Sequence, residues 1–166
     1  MRIALVQMSV DAGNIAGNRR QGLAMINQAA DNADIIVLPE IWTVGYALSK
    51  VSKWAEDVQG PTLSAVKSLA RKHAVTIVAG SIPMLIGGRI YNSTAVIDKT
   101  GDIIADYAKL HLFSMFEEER FFATGNKRCI FKLGGITAGV AICYDLRFPE
   151  LFRAMALEGV KVIFLP

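Results

Sequence analysis

Along this chain, short apolar runs alternate with stretches in which apolar residues recur at helical spacing. The first run, Ile3 to Met8, reads as a buried strand. After the turn-rich Asp11-Ala12-Gly13-Asn14, Asn18 is placed to cap a helix whose Leu23, Ile26 and Ala30 share one face and which ends near Asn32. Ile35 to Leu38 is continuous and rich in β-branched residues, as a strand covered on both faces should be. Pro39 stops it, because proline cannot donate to a ladder, and Glu40 lies just past its end. Gly60-Pro61-Thr62 opens a second helix with the stripe Leu63, Val66 and Ala70, and a strand follows from Val75 to Ala79.

From Arg89 the rhythm changes to a hairpin, Tyr91 to Ile97 and Ile103 to Tyr107, joined by the turn-forming Asp98-Lys99-Thr100-Gly101. Cys129 to Leu133 and Thr137 to Ile142 flank Gly134-Gly135, Pro149 to Leu157 reads as helix, and Val160 to Leu165 as one more strand. Such an order predicts an α/β protein with its strands largely buried under helices. In sheets of this kind chemistry collects outside the carboxyl ends of the strands. Three reactive side chains fall at those ends: Glu40, Lys109 and Cys143.

Composition narrows the field. A chain of 166 residues fits one domain, spanning 1–166, or a piece of a larger one. Apolar residues make up 52% and charged residues 20%, so an unusual share of the chain is built for burial and disorder is excluded. The 18 basic and 15 acidic residues leave a net charge of +3 with no basic cluster, which argues against nucleic acid as a partner. The apolar runs are far too short to span a bilayer, and Gln7 breaks the only run that resembles a leader. The expected setting is therefore cytoplasmic. Two cysteines, Cys129 and Cys143, supply neither a disulfide framework nor metal-ligand spacing, and no metal or cofactor is expected.

Cys143 ends an apolar strand and precedes the polar turn Tyr144-Asp145-Leu146-Arg147-Phe148-Pro149-Glu150, a layout like a nucleophile elbow. A helix starting beyond it would favour thiolate over thiol, and backbone N–H groups, that of Tyr144 included, would be placed to hold an oxyanion. The plain alternative is a structural thiol packed under a helix, which is how Cys129 is read. Glu40 abuts an apolar run, and half-burial there would raise its proton affinity, as a general base near neutral pH requires. An ordinary solvated glutamate is the alternative. Lys109, among apolar neighbours, must either reach water or meet a counter-charge; beside a developing oxyanion its ammonium would stabilise the transition state. His111 suggests a Cys-His dyad instead, but no Asn or Asp orienter lies near it in sequence. The run Glu117-Glu118-Glu119 is by default a solvated face. A nucleotide-binding reading lacks both a G-x-G-x-x-G turn and a P-loop.

With these residues located, the whole chain resembles the carbon–nitrogen hydrolase (nitrilase) superfamily. Leu38-Pro39-Glu40, Lys109-Leu110-His111-Leu112-Phe113 and Cys143-Tyr144-Asp145-Leu146-Arg147-Phe148-Pro149-Glu150 are similar to that family's three catalytic blocks, in its order. The resemblance implies Cys143 as nucleophile, Glu40 as general base and Lys109 as oxyanion stabiliser. It also implies a second glutamate a turn or two beyond the lysine, Glu118 or its neighbour Glu117. The reaction implied is hydrolysis of a small carboxamide through a Cys thioester with release of ammonia. Tyr144-Asp145 stands where true nitrilases carry Trp-Glu, which points to the amidase branches, ω-amidases among them, rather than to nitriles. Arg147 could read a substrate carboxylate but equally could tie down the elbow through Asp145 or Glu150, and it is not counted among the site residues.

The family implies an α-β-β-α sandwich and oligomers, a dimer or higher, and its members run longer than this chain. The sandwich is therefore expected to be incomplete here, with open strand edges that promote association. A catalytically inactive interaction module is the competing expectation.

Overall fold

The computed structural model describes all residues from Met1 to Pro166. The elements in chain order are β1 (Ile3–Leu5), α1 (Ile15–Ala30), β2 (Ile35–Val37), α2 (Val51–Trp54), α3 (Pro61–His73), β3 (Thr76–Val78), β4 (Ile82–Ile86), β5 (Arg89–Ile97), β6 (Ile103–Ala108), β7 (Cys129–Leu133), β8 (Ile136–Val140), α4 (Pro149–Leu157) and β9 (Val162–Phe164). One sheet has six strands in the order β1-β2-β3-β5-β4, with β6 along the other side of β5; the second has three, β7-β8-β9. α1 and α3 cover the outer face of the first sheet through a core that includes Ile26, Ile36, Leu63, Val66 and Ile77. Val37, Val78, Val96, Tyr107, Val140, Ile142 and Phe164 form a second core between the sheets, and α4 packs Leu151 and Met155 outside the second sheet. This is the α-β-β-α layering, and it follows from strands whose two faces are both apolar.

Two local expectations change. Asn14, not Asn18, caps α1, its side chain accepting from the Gly17 N–H at 3.1 Å. Asn18 is buried one turn inside the helix, where it accepts from the Asp11 N–H and donates to the Asp11 and Thr43 carbonyls at 2.9, 2.7 and 3.0 Å. Strand β4 lies in a stretch to which the sequence reading assigned no element, and it contains Pro83, a residue disfavoured within sheets. It is tolerated because β4 forms the sheet edge, where a missing N–H leaves no ladder partner waiting.

β3 and β4 pair with successive halves of the same long strand β5, so they amount to one strand broken at Gly80-Ser81. The loop after β2 enters this break: the Ser81 N–H donates to the Pro39 carbonyl at 3.0 Å and the Trp42 N–H to the Ser81 carbonyl at 3.2 Å. Gly80, at φ +64°, is required there, since a Cβ would lie 2.3 Å from the Pro39 oxygen.

β1 and β9 are the open edges of the two sheets on one side of the sandwich. Between them lies a wholly apolar groove of about 370 Å³ lined by Ile3, Leu5, Val37 and Val162 to Leu165, and Leu5 is 77% exposed. Unpaired edges flanking an apolar groove template association. The chain is therefore expected to self-associate at micromolar concentration, measured by light scattering. A monodisperse monomer that melts cooperatively would contradict this.

Candidate functional site

Glu40 is held in place by strain and by a serine. Ile41, which follows it, has φ +43°, a conformation that β-branched residues avoid, and its N–H donates to Ser81 Oγ at 2.9 Å. Trp42 is fully buried beneath, with Nε1 donating to the Ala79 carbonyl at 2.8 Å. The turn thrown by Ile41 leaves the Glu40 carboxylate nearly buried with three donors on it. Lys109 Nζ and Asn92 Nδ2 reach Oε1 at 2.8 and 3.0 Å, and the Tyr46 hydroxyl reaches Oε2 at 2.8 Å. Burial, then the charge of Glu40, pushes the Tyr46 hydroxyl above its usual range, so it remains a donor.

Lys109 meets counter-charges rather than water. It directly follows β6, its side chain is 1% exposed, and its ammonium lies 2.8 Å from Glu40 and 2.9 Å from Glu118. Burial works against its charge, but Glu40 first and Glu118 after it outweigh that and hold the ammonium above the usual lysine range. Glu118 is wholly buried and also accepts from the Phe113 N–H at 2.9 Å; burial is the main reason its carboxyl is raised. Glu117 has φ +53°, and this left-handed residue reverses the chain so that its own side chain is exposed and paired with Arg120 at 2.7 Å. Of the two neighbours, the structure brings Glu118 to Lys109 and leaves Glu117 outside.

Cys143 follows the last residues of the β8 segment and has φ +41°, the strained turn of an elbow. Its N–H donates to the Pro166 carbonyl at 2.8 Å, and although the residue is exposed at the surface its thiol is half-buried. The expectation of a stabilised thiolate is corrected. Burial, then the charge of Glu40 and a hydrogen bond to it, push the thiol up to about 12, with Lys109 opposing. A short 3-10 helix of five residues, Cys143–Arg147, separates the thiol from α4, so no long helix dipole acts on it. The resting thiol is thus protonated. Cys129 is buried and pushed up to about 11, chiefly by burial.

Tyr144 packs between Phe113 and Phe148, with ring centroids 4.6 and 5.6 Å away. Two residues past the thiol, the carboxylate of Asp145 is fully buried. Its Oδ2 accepts from the Ile142 N–H at 2.9 Å and the Tyr107 hydroxyl at 2.7 Å, and its Oδ1 from the His111 N–H at 3.0 Å. His111 Nδ1 lies 2.7 Å from Oδ1, and the imidazole stacks on Phe148 at 3.6 Å. An orienter for His111 therefore exists, contrary to the sequence reading, but it comes from a distant strand end. The charge that acts most strongly on the thiol is that of Glu40. Arg147 is exposed and bonded to neither Asp145 nor Glu150. Sequence reasoning missed Tyr46 and Asn92 as partners of Glu40. Asn92 carried a usable signal, an asparagine inside a strand where that residue is depleted; Tyr46 carried none.

Comparison with known proteins gives the same reading along the whole chain. The carbon-nitrogen hydrolase family profile matches residues 2–165. The chain is 35% identical over 163 residues to the 2-oxoglutaramate amidase of Bacillus subtilis (strain 168), covering 98% of this chain and 63% of that protein. It is 30% identical over 173 residues to the omega-amidase NIT2 of Pongo abelii, covering 99% of this chain and 62% of the relative. Nit3 of Saccharomyces cerevisiae, a solved member of the nitrilase superfamily, superimposes with a TM-score of 0.91 at 27% identity, covering 100% of this chain and 64% of that one. The chain thus spans less than two thirds of the length of these relatives. A profile match over nearly every residue, joined to the shared layering, establishes that this chain belongs to the carbon–nitrogen hydrolase family of the nitrilase superfamily.

Proposed function

We propose that the chain is the N-terminal portion of an amidase, a single carbon–nitrogen hydrolase unit over residues 1–166 that cleaves a small carboxamide through a thioester on Cys143. The observation that carries this reading is the convergence of Glu40, Lys109 and Glu118 in one buried charge cluster, with Glu40 near enough to the Cys143 thiol for its charge to raise the thiol's proton affinity. Glu40 takes the thiol proton as sulfur attacks the amide carbon, so the high proton affinity of the thiol is overcome only in step with bond formation. The carbonyl oxygen becomes an oxyanion, stabilised by the Lys109 ammonium and the Tyr144 backbone N–H. Glu40 then passes the proton to the departing nitrogen, ammonia leaves, and the acyl group stays on sulfur. Water, deprotonated by Glu40, attacks the thioester and frees the acid and the thiol. Glu118, in contact with the same ammonium as Glu40, holds Lys109 in place and balances its charge.

The amide is favoured over a nitrile by Tyr144-Asp145 and by the amidase relatives. A 2-oxo dicarboxylic monoamide is favoured among amides because the relatives include a 2-oxoglutaramate amidase and an omega-amidase. Ammonia release from 2-oxoglutaramate is the test. Cys143→Ala is expected to abolish it. Equal turnover in the Cys143→Ala variant would exclude the reading.

The groove between β1 and β9 favours a second reading, an interaction module that associates through its open edges. A Cys143 inert toward iodoacetamide in a chain that forms a stable complex with another protein would favour it.

A further inference from the structure

We propose that Asp145 is a positioning residue that clamps the nucleophile's segment to the ammonium's segment, with His111 as its second arm. Resting on the reading of Cys143 and Lys109 above, the inference concerns a residue that touches neither the reacting thiol nor the ammonium.

Asp145 is buried and accepts from four donors. One, the Ile142 N–H, belongs to the residue immediately before Cys143; another, the His111 N–H, lies two residues after Lys109. The Tyr107 hydroxyl that donates to Asp145 also accepts from the Leu110 N–H at 3.2 Å, so the chain on both sides of Lys109 is tied to the same carboxylate. The elbow needs such a tie. Cys143 sits at φ +41°, a conformation that costs of order 1 to 3 kcal/mol and persists only where the surroundings over-determine it. A neighbour at one end is the Pro166 carbonyl; at the other is Asp145. Without the carboxylate, the Ile142 N–H loses its partner and the elbow can relax away from Glu40 and Lys109. A shift near 1 Å in a reacting group is worth about 10²-fold in rate.

Asp145→Asn tests this, because the amide keeps the volume but turns one acceptor into a donor that faces N–H or O–H groups. Turnover of 2-oxoglutaramate is expected to lose about 100-fold in kcat with KM changed less than about threefold. In the same variant, the pH at which iodoacetamide labels Cys143 is expected to move down from about 12 toward the ordinary thiol value, because the thiol has drawn away from Glu40, while Cys129 stays unlabelled. His111 is part-exposed and replaceable, and it supplies the second arm of the test. His111→Ala is expected to cost about tenfold in kcat, and His111→Asn, whose amide can donate to Oδ1, to recover most of it.

Unchanged kcat and unchanged Cys143 labelling in a folded Asp145→Asn chain would overturn the proposal. So would equal losses in His111→Ala and His111→Asn, or exposure of both cysteines together, which marks a purely structural role. The labelling readout needs no amide turnover. A chain inactive toward every amide but showing the Cys143 shift would therefore refute the functional reading and leave the clamp standing.

Discussion

Replacing Glu40 with Gln is expected to lower amide turnover by about two to four orders of magnitude while making the Cys143 thiol easier to ionise. These opposite signs come from one contact. The thiol is pushed up to about 12 first by burial and next by the charge and hydrogen bond of Glu40. Glu40→Gln keeps the shape of the side chain and removes its charge, so the second cause vanishes and Lys109, now facing one carboxylate fewer, favours the thiolate more strongly. The midpoint of Cys143 alkylation should then fall from about 12 toward the usual thiol value of 9.0. Turnover falls nonetheless, because nothing is left to carry the proton from sulfur to the departing nitrogen. Alkylation followed by mass spectrometry across alkaline pH, beside an ammonia assay, reads both effects. Retained turnover, or a thiol whose titration does not descend, would place the base elsewhere.

The second large effect is expected at Lys109. Lys109→Met fits the space but leaves Glu118, wholly buried, and Glu40, nearly so, facing each other without a cation. Breaking a buried pair by removing one partner costs about 3–5 kcal/mol, and urea denaturation at pH 7 should show a loss of that size. The pH dependence has a defined sign. Glu118 is already raised by burial, and without Lys109 it rises further, so in the folded variant it binds its proton more tightly than in the unfolded chain. Stability from that proton is full below the unfolded carboxylate range and is lost as pH rises through the folded value. Acidifying from pH 7 toward 5 should therefore stabilise Lys109→Met. Turnover should fall about 10²- to 10³-fold from the lost oxyanion contact, and Lys109→Met/Glu118→Gln should regain stability without regaining turnover. A variant as stable at pH 7 as the parent chain would contradict the buried charge cluster.

The alternation of apolar runs and helical stripes was sufficient for the layered α/β architecture, because burial on both faces leaves a strand such as Ile35–Val37 apolar throughout. It was insufficient for β4, where a proline is admitted only because the strand lies at an edge, a fact of pairing rather than of composition. The cap of α1 was misplaced by one turn because Asn14 and Asn18 have the same capping chemistry, and the choice between them was made by the Asp11 and Thr43 carbonyls.

What the residues alone determined was the chemistry available at the strand ends, a thiol, an amine and a carboxylate in motifs specific enough to mark the family. Local sequence suffices for this, since a strand that stops and a turn that follows are short-range events. Tertiary structure decided everything that depends on which surfaces meet. Glu117 and Glu118 are neighbours of identical type, yet a left-handed backbone at the first sends one to solvent and the other onto Lys109. Tyr46 and Asn92 reach Glu40, and Asp145 reaches His111, in contacts no local pattern announces; a strand asparagine marks Asn92 as unusual without saying what it meets. The proton affinity of Cys143 was likewise beyond sequence, because its sign depends first on how far the fold buries the thiol and then on whether a carboxylate or a helix end acts on the sulfur, and here burial and the Glu40 charge both raise it.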